Sequence, residues 1–320
     1  MTDPAAIPSA GPTRHLGLDL GVTNLKWAVV ERAGDTWSVL DNGQVPTRSA
    51  EGPGVVVPQL SQVGAKVISA HPGIESIGIG VPGLYDPETG TIEFLVNMPG
   101  HWRGVPVGAP VEAALGLPIA LINDARAFGL AELRLGAGRG VRAMIGLTLG
   151  TGIGGVIAID GQVLRGHKGT AGELGHQTID PDGPWCNCGT RGCMEAYCRA
   201  DQIAHAAGTA TVEDAVAAAQ AGDARALSAL VDTGRYLGIG IANAIILVNP
   251  DRVVLGGGVA AAGDLLIEPI RAELRRRVNV TSWREIDIVI AELGTAAGAI
   301  GAAVHGAEQA AARAHERAFA

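Results

Sequence analysis

Apolar and polar residues follow two periods along this chain, and the change of period marks the predicted strands and helices. Short apolar runs that end near a glycine or a polar turn predict strands; these runs lie at 16–31, 76–83, 145–160, 252–260 and 285–293. Helical spacing predicts helices at 56–72, through most of 199–248 with a break at 222–224, at 264–278 and at 295–317. The pattern of residues 119–136 predicts a strand that leads directly into a helix. Strands that alternate with helices indicate an α/β fold.

One pattern occurs twice. LGLDLGVTNLKWAVVE at 16–31 and IGLTLGTGIGGVIAID at 145–160 each join an apolar strand, a Leu-Gly pair, a turn with threonine and a second apolar strand. We interpret them as equivalent β-hairpins that open two duplicated domains.

The segment from Glu173 to Glu195 combines a histidine with three cysteines among Gly, Pro and Asp residues. Three thiolates and one imidazole complete a tetrahedral zinc set, which leaves no position for a reactive water, so the zinc should be structural. Buried core thiols or a disulfide are the alternatives, and the Cys-x-Cys spacing in a polar loop disfavours both. Cys198 is left over and is expected to pack inside the following helix. The candidate ligands are His176, Cys186, Cys188 and Cys193.

Composition narrows the class of protein. The chain has 320 residues, 47% hydrophobic residues, 47 glycines and a net charge of -8. The acidic balance argues against a nucleic-acid surface. All four cysteines lie between 186 and 198, which indicates a reducing compartment. Residues 1–15 lack the pattern of a signal peptide, and no apolar run suits a membrane span. We therefore expect a cytoplasmic protein with no membrane partner.

Both predicted hairpin turns combine glycine with threonine, and such turns present N–H groups and hydroxyls that suit phosphate oxygens. Asp19, at the end of the first strand, is placed to orient a hydrated Mg²⁺. An ordinary hairpin turn is the alternative for each copy. The glycines of 150–155 do not form a dinucleotide fingerprint or a P-loop, because a strand follows them where either motif needs a helix. The occurrence of two such turns favours phosphate binding.

Two further motifs end predicted strands. Three glycines at 256–258 leave room for a flat ring against the backbone, although a turn that needs positive φ would explain them equally. Asn123 and Asp124 stand between a strand and a helix, where ligands of open α/β sheets collect. Asp124 is therefore a candidate general base for a substrate hydroxyl, and capping of the helix is the alternative.

Together these motifs resemble the ROK family of sugar kinases and repressors, within the actin/hexokinase superfamily. The resemblance covers residues 16–305 and includes GELGH…CNCGTRGCMEAY, DLGVTN, GVPG, NDARA, TLGTGIG and GGGV. It implies two duplicated ribonuclease-H-like α/β domains that flank a cleft, with a zinc-stapled loop. We place a small domain at 15–124 plus 297–318, a large domain at 125–296 and a disordered tail at 1–14.

The resemblance also implies an activity, the ATP-dependent phosphorylation of a hexose, with D-glucose converted to glucose 6-phosphate. Other acceptors (N-acetylhexosamine, mannose, fructose or a cyclitol), polyphosphate as the donor, and a sugar sensor or repressor are the alternatives. Family repressors carry a helix-turn-helix before the shared fold, for which the first hairpin leaves no room here. Mg²⁺ would accompany ATP, and the family suggests a homodimer or homotetramer.

Residue roles follow from the same resemblance. Asp124 would be the catalytic base. Val22 departs from the family, which has a second glycine there; a β-branched residue resists positive φ, so a different turn is expected. The residues implied to contact the sugar are Gly83, Asn123, Asp124, Glu173, His176 and Glu195. Those implied to surround ATP are Asp19, Gly21, Thr23, Asn24, Thr148, Gly150, Thr151, Gly152, Gly257 and Gly258.

Overall fold

The computed structural model describes residues 11–95 and 98–319. The chain divides into two compact units: unit 1 is Met1–Ala127 with Gly298–Ala320, and unit 2 is Phe128–Ala297. Most of the predicted tail, residues 1–10, lies outside the described residues, and the first strand already begins at Thr13.

Unit 1 is built on a five-stranded sheet with the order β3-β2-β1-β4-β7. The first three strands along the chain are antiparallel neighbours, whereas β1, β4 and β7 are parallel, so their carboxyl ends share one edge. A separate two-stranded hairpin pairs β5 with β6. The elements are β1 (Thr13–Leu20), β2 (Asn24–Ala33), β3 (Thr36–Pro46), α1 (Pro53–Ala70), β4 (Ile74–Val81), β5 (Gly83–Asp86), β6 (Thr91–Leu95), α2 (Gly108–Leu115) and β7 (Ile119–Asn123).

Unit 2 repeats this arrangement with the order β10-β9-β8-β11-β12. An antiparallel hairpin again leads into parallel strands, since β8 pairs with β9 antiparallel while β11 lies parallel between β8 and β12. The predicted fold class of two duplicated α/β domains is confirmed. The elements are α3 (Asp124–Leu135), β8 (Ala143–Leu149), β9 (Ile153–Ile159), β10 (Gln162–Val163), α4 (Met194–Cys198), α5 (Ala200–Ala207), α6 (Val212–Gln220), α7 (Ala224–Val248), β11 (Arg252–Gly256), α8 (Asp264–Arg277), β12 (Asp287–Ile290) and α9 (Ala297–Phe319); α3 begins and α9 continues in unit 1.

Glycines in the unit 1 sheet allow α9 to lie close against it. Gly17 on β1 is paired with Gly78 on β4. A Cβ built on Gly17 would lie 1.8 Å from the carbonyl oxygen of Ala299, and one on Gly78 would lie 1.7 Å from that of Ala302. Any side chain at these positions would therefore push the helix off the sheet. On the other side of this contact, the small side chains of the Ala-rich α9 allow the same close approach.

The duplicated position in unit 2 has different neighbours. Gly146 stands in the second hairpin where Gly17 stands in the first, and a Cβ there would meet Val156 at 2.6 Å and the ring of Phe128 at 3.4 Å. Gly256 makes room for the same ring, because its Cβ would lie 2.5 Å from Phe128. Phe128 of α3 thus packs closely over Gly256, whereas Gly146 mainly makes room for Val156 of the neighbouring strand.

The core of unit 2 is organised around α7. Within the described residues this helix alone is long and apolar enough to cross a membrane, and 56% of its apolar window is buried. Leu230, Leu237 and Ile241 are at most 1% exposed and belong to the main hydrophobic cluster of the unit. Such burial is what a core helix requires.

The structure contains elements that the periodicity did not predict. Strand β3 is missed because most of its residues are exposed, so it lacks an apolar face. The hairpin of β5 and β6 and the eight-residue α2 are too short for a clear period. The predicted break at 222–224 is confirmed, with Asp223 capping α7. A second break separates α5 from α6, where Gly208 is left-handed and Thr211 caps the next helix.

Candidate functional site

The first glycine hairpin closes through its own backbone. The N–H of Gly21 lies 3.1 Å from the carbonyl oxygen of Asn24, and the hydroxyl of Thr47 donates to the carbonyl of Gly21 at 2.8 Å. Thr23 is exposed at the tip. Among non-glycine residues that the structure describes, only Asp160 and Asn249 have positive φ. Val22 therefore sits in a turn that does not demand the left-handed region, and its side chain packs against the core of unit 1.

The second hairpin closes in the same way with one residue fewer. Leu149 pairs with Ile153, and the N–H of Gly150 donates to the carbonyl of Gly152 at 3.0 Å. Thr151 is exposed at the tip, and Thr148, one residue before the end of β8, is paired with Gly256 of β11. The two copies thus share the closing hydrogen bond, in addition to the sequence pattern.

Asp19 lies in a small space left by two glycines. A Cβ on Gly80 would come within 3.2 Å of the Asp19 carboxylate, and one on Gly298 within 2.5 Å. Burial raises the pKa of Asp19, and the charge of Lys26 opposes this shift only partly. A carboxylate destabilised by burial gains most from a nearby cation. Asp19 is therefore a buried carboxylate whose negative charge a nearby cation would stabilise.

Asn123 joins the end of β7 to the segment after β4. Its Nδ2 donates to the carbonyl oxygen of Gly83 at 3.1 Å, and its Oδ1 accepts from the N–H groups of Ala125 at 3.1 Å and Arg126 at 3.3 Å. Gly83 has φ +118, and a Cβ there would lie 2.3 Å from a neighbouring carbonyl oxygen. Both groups of the Asn123 amide are thus used to fix the local backbone.

Asp124 is the first residue of α3, and its side chain is exposed. One carboxylate oxygen accepts from the N–H of Ala125 at 2.8 Å. The hydrogen bond of an N-cap, from the N–H three residues ahead, goes to Asn123 instead. The capping alternative therefore describes Asn123 better than Asp124, which presents its carboxylate at the carboxyl edge of the parallel strands of unit 1.

The loop between β10 and α4 forms a small knuckle. The ligand atoms of one histidine and three cysteines all lie within 4.8 Å of one another. The Sγ atoms of Cys188 and Cys193 are 3.6 Å apart, and the Sγ of Cys186 is 3.8 Å from the Nδ1 of His176. A tetrahedron with Zn–S near 2.3 Å and Zn–N near 2.0 Å has edges of about 3.5 to about 3.8 Å. The residues present therefore fit a zinc ion.

Backbone bonds hold the knuckle in shape around the cluster. The N–H of Cys186 donates to the carbonyl of Thr190 at 2.8 Å, and Trp185 forms a bridge with Arg191. Gly192 has φ +69, and a Cβ there would lie 1.6 Å from the carbonyl oxygen of Asp180. The segment has few apolar residues of its own, which is the situation in which a metal supplies folding free energy.

The thiols of the knuckle differ in acidity. Burial, followed by the neighbouring thiols, raises the pKa of Cys186 to about 12. Burial works against ionisation of Cys188 as well, but hydrogen bonds from the hydroxyl and N–H of Thr190 prevail and lower its pKa to about 6. Since a zinc ligand must be a thiolate, zinc binding would release the proton of any of these thiols that is still protonated.

His176 directs one ring nitrogen, Nδ1, to the cluster. A metal bound at Nδ1 leaves the proton on Nε2, so the opposite side of the ring becomes a hydrogen-bond donor of fixed direction. Glu173, three residues earlier, is exposed. The knuckle is thus able to aim a donor and an acceptor from neighbouring positions.

Glu195 connects the knuckle to the second hairpin. One of its carboxylate oxygens accepts from the N–H of Ile153 at 2.8 Å, and the other lies 3.7 Å from the Sγ of Cys186. Sequence reasoning identified Glu195 only as a sugar contact and missed Ile153 as its partner. The two residues are 42 positions apart and no local pattern links them.

The three glycines at the end of β11 are needed for different reasons. Gly256 makes room for Phe128, and Gly257 has φ +88 with a Cβ position only 2.2 Å from the carbonyl oxygen of Leu149. The predicted alternative, a turn that needs positive φ, accounts for Gly257. Gly258 is exposed, and a Cβ there would meet only Glu213, at 3.2 Å. An open backbone surface therefore remains at Gly258.

The structure thus groups the predicted residues within each unit. At the strand-end edge of unit 1 lie Asp19, the first hairpin, Gly83, Asn123 and Asp124. Unit 2 brings together the second hairpin, the triple glycine and the knuckle, through the contacts of Gly257 with Leu149 and of Glu195 with Ile153. Residues such as Thr47, which holds the first hairpin, carried no motif and were not predicted.

A duplicated mixed sheet that opens each time on a glycine hairpin, with a Cys₃His knuckle in the second copy, defines an actin/hexokinase-type α/β protein. The sequence model of the ROK family matches residues 15–308. The chain belongs to the ROK family.

Several proteins similar to this chain are sugar kinases. The glucokinase of Halalkalibacterium halodurans is 36% identical over 90% of this chain and 93% of its own. The ROK hexokinase of Thermus thermophilus superposes with a TM-score of 0.80 at 35% identity, covering 93% of this chain and 99% of its own. The ROK family glucokinase of Streptomyces griseus, solved in complex with glucose and AMPPNP, gives 0.78 at 32% identity, with coverage of 93% and 100%.

Repressors also occur among the relatives. The putative xylose repressor of a Caldicellulosiruptor species is 31% identical, and the match covers 87% of this chain and 74% of the repressor.

Proposed function

We propose that this protein transfers the terminal phosphoryl group of ATP to the 6-hydroxyl of D-glucose. The observation that carries the proposal is the exposed carboxylate of Asp124 beside Asn123, which takes over the capping bond of α3. The glucokinase of Halalkalibacterium halodurans, which matches 90% of the chain, supports the reaction and the acceptor.

Asp124 acts as the general base. Its carboxylate accepts the proton of the sugar 6-hydroxyl while that oxygen forms a bond to the terminal phosphorus. The bond between this phosphorus and the bridging oxygen breaks, and ADP leaves. Because phosphoryl transfer needs little covalent help, positioning and neutralisation of charge carry most of the catalysis. Proton transfer to a base contributes about 10²- to about 10⁴-fold.

Sugar recognition is assigned to side chains that offer paired donors and acceptors. Glu173 and Glu195 accept from sugar hydroxyls, because each carboxylate oxygen has two lone pairs. His176 donates from Nε2, and a zinc ion held by Nδ1 would keep the proton on Nε2. Asn123 contributes its remaining amide hydrogen, and Gly83 lets the ring approach the backbone.

Nucleotide binding is assigned to the two hairpins and the triple glycine. Thr23 and Thr151 are exposed at the hairpin tips and offer hydroxyls to phosphate oxygens. Gly258 offers an open surface to the adenosine. Mg²⁺ carried with ATP would neutralise phosphate charge, and Asp19 is the residue that would orient its water shell. The other residues assigned to this group are Gly21, Asn24, Thr148, Gly150, Gly152 and Gly257.

The test is an assay of ADP release coupled to a second enzyme, run over a panel of hexoses, N-acetylhexosamines and cyclitols. D-glucose is expected to give the highest kcat/KM. The substitution Asp124→Asn is expected to abolish turnover while glucose binding by calorimetry persists. A matched control is Asp264→Asn, which makes the same change at the first residue of α8, where the side chain is also exposed.

Two results would contradict the proposal. Retention of more than a tenth of the wild-type kcat in Asp124→Asn would remove this residue from the catalytic role. A wild-type protein that binds glucose but releases no ADP would favour the sugar sensor or repressor. Polyphosphate as the donor is tested in the same assay by replacing ATP. Assembly as a homodimer or homotetramer and a cytoplasmic location stay predictions. Size-exclusion chromatography with light scattering measures the assembly.

A further inference from the structure

The exit of the second hairpin is held by the zinc knuckle on two sides. The N–H of Ile153 donates to Glu195 at 2.8 Å. On the opposite side, a Cβ on Gly175 would lie 2.1 Å from the carbonyl oxygen of Ile153, so the segment before His176 is in direct contact with the same residue. The N–H of Ala200, just after α4, donates to the carbonyl of Gly150 at 2.8 Å. The hairpin therefore rests on the knuckle and on the helix that follows it.

Glu195 is itself placed by one of the zinc ligands and lies beside another. It is the second residue of α4, and that helix begins directly after Cys193, which occupies its N-cap. Its other carboxylate oxygen lies 3.7 Å from the Sγ of Cys186. A metal that fixes Cys193 fixes the start of α4 and so the direction of the Glu195 side chain.

The hairpin is shaped to receive this carboxylate. A Cβ on Gly152 would lie 2.7 Å from the Glu195 oxygen, so the glycine leaves the space that the side chain occupies. A hydrogen bond from a backbone N–H to an ionised carboxylate is short and roughly twice as strong as a neutral one. The contact is therefore able to hold a loop of three residues in one conformation.

We infer that Glu195 is a positioning residue for the nucleotide. Zinc fixes the direction of the Glu195 side chain, and Glu195 in turn holds the hairpin Thr148–Ile153 in one conformation. This inference rests on the proposed binding of ATP phosphates by that hairpin. The knuckle then has a second role besides aiming His176 at the sugar. Loss of zinc, or of the carboxylate, loosens the hairpin and weakens nucleotide binding even when no sugar is bound, because a loop that is not preorganised must be ordered by the ligand.

Two substitutions at one position separate this role from a sugar contact. Glu195→Gln keeps an oxygen that accepts from Ile153, and its amide group takes the side that faces Cys186. Glu195→Ala removes the acceptor altogether. Glu173→Ala is the matched control, since Glu173 is an exposed acid at the other end of the same loop and is assigned to the sugar alone.

The experiment measures the affinity for AMPPNP with Mg²⁺ by calorimetry, without sugar. We expect Glu195→Ala to bind about tenfold more weakly than the wild type, which corresponds to about 1.4 kcal/mol. Glu195→Gln and Glu173→Ala are expected to stay within about twofold. Removal of zinc from the wild type with a chelator is expected to weaken binding as Glu195→Ala does.

A second measurement does not depend on the nucleotide. Amide hydrogen exchange at Ile153 is expected to rise in Glu195→Ala and in the zinc-depleted wild type, and to stay low in Glu195→Gln; exchange in β11 serves as the folding control. Unchanged affinity and unchanged exchange in Glu195→Ala would overturn the inference, and so would equal weakening in the Ala and Gln variants. A wild type that does not bind AMPPNP would instead overturn the proposed function and this inference with it.

Discussion

Replacement of Asn123 by alanine tests how the carboxyl edge of the unit 1 sheet is held. The change removes one donor and one acceptor that serve three backbone groups, at a position only 9% exposed. Loss of the helix cap costs about 1 kcal/mol. The carbonyl of Gly83 then lacks its side-chain donor, which costs about 1 to about 3 kcal/mol when the group stays buried. The free energy of unfolding is therefore expected to fall by about 2 to about 4 kcal/mol.

Asn123→Asp separates the two contributions. An aspartate still accepts from the N–H groups of α3, and its charge is favourable at a helix N-terminus. Its second oxygen, however, faces the carbonyl of Gly83, so the donor is replaced by a repelling acceptor. We expect this variant to keep slow amide exchange at Ala125 and Arg126 and to lose stability only through the Gly83 contact.

The assay is urea unfolding followed by far-UV circular dichroism, with stability compared through the midpoints at an unchanged slope. Asn42→Ala is the control, because Asn42 is an exposed residue of β3. A loss below about 0.5 kcal/mol in Asn123→Ala, the size typical of surface substitutions, would refute the reasoning. It would mean that water or another group replaces the amide at no cost.

Three further predictions concern the rest of the molecule. Purified wild type is expected to hold one zinc per chain by elemental analysis, Cys188→Ala to lose it and Cys198→Ala to keep it; a wild type without zinc would contradict the knuckle assignment. Burial, and then the charge of Arg32, lowers the pKa of His15 to about 4, so the fold favours the neutral ring. Stability from this group is present above about pH 6.5 and is lost as the pH falls toward about 4, by on the order of 3 kcal/mol. Urea midpoints should therefore fall less with acid in His15→Gln than in the wild type, and equal falls would exclude the histidine. Gly78→Ala is expected to destabilise by about 2 kcal/mol or more, because the new Cβ would lie 1.7 Å from a carbonyl oxygen of α9; Gly54→Ala, with open space around it, is the control, and equal stability of the two variants would be the contrary result.

Much of the architecture could be predicted because it is encoded in contiguous stretches. The two hairpins repeat an apolar strand, a Leu-Gly pair and a second strand, and each copy closes its turn within a few residues. The helices of the core show their period directly. By contrast, β3 is an edge strand with most residues exposed, and it is defined by pairing with β2 and not by its own pattern.

The candidate zinc set was predictable for the same reason. Its four ligands lie within one short segment, and the requirement of the metal for thiolate and imidazole is visible in the residue types alone. The roles of Asn123 and Glu195 were only partly predictable. Each makes a decisive bond to backbone that is remote in sequence, 40 residues away for Gly83 and 42 for Ile153.

The amino-acid sequence by itself determined the duplicated α/β pattern, the hairpin turns and the four candidate ligands, because these depend on neighbours within one turn, strand or loop. Tertiary structure decided why particular glycines are needed and which side chains hold which loops. Gly78 must lack a side chain because α9, far along the chain, lies against it, and Gly256 because Phe128 does. Contacts of this kind depend on which helix reaches which sheet, and that is set by packing of the whole unit and not by local periodicity.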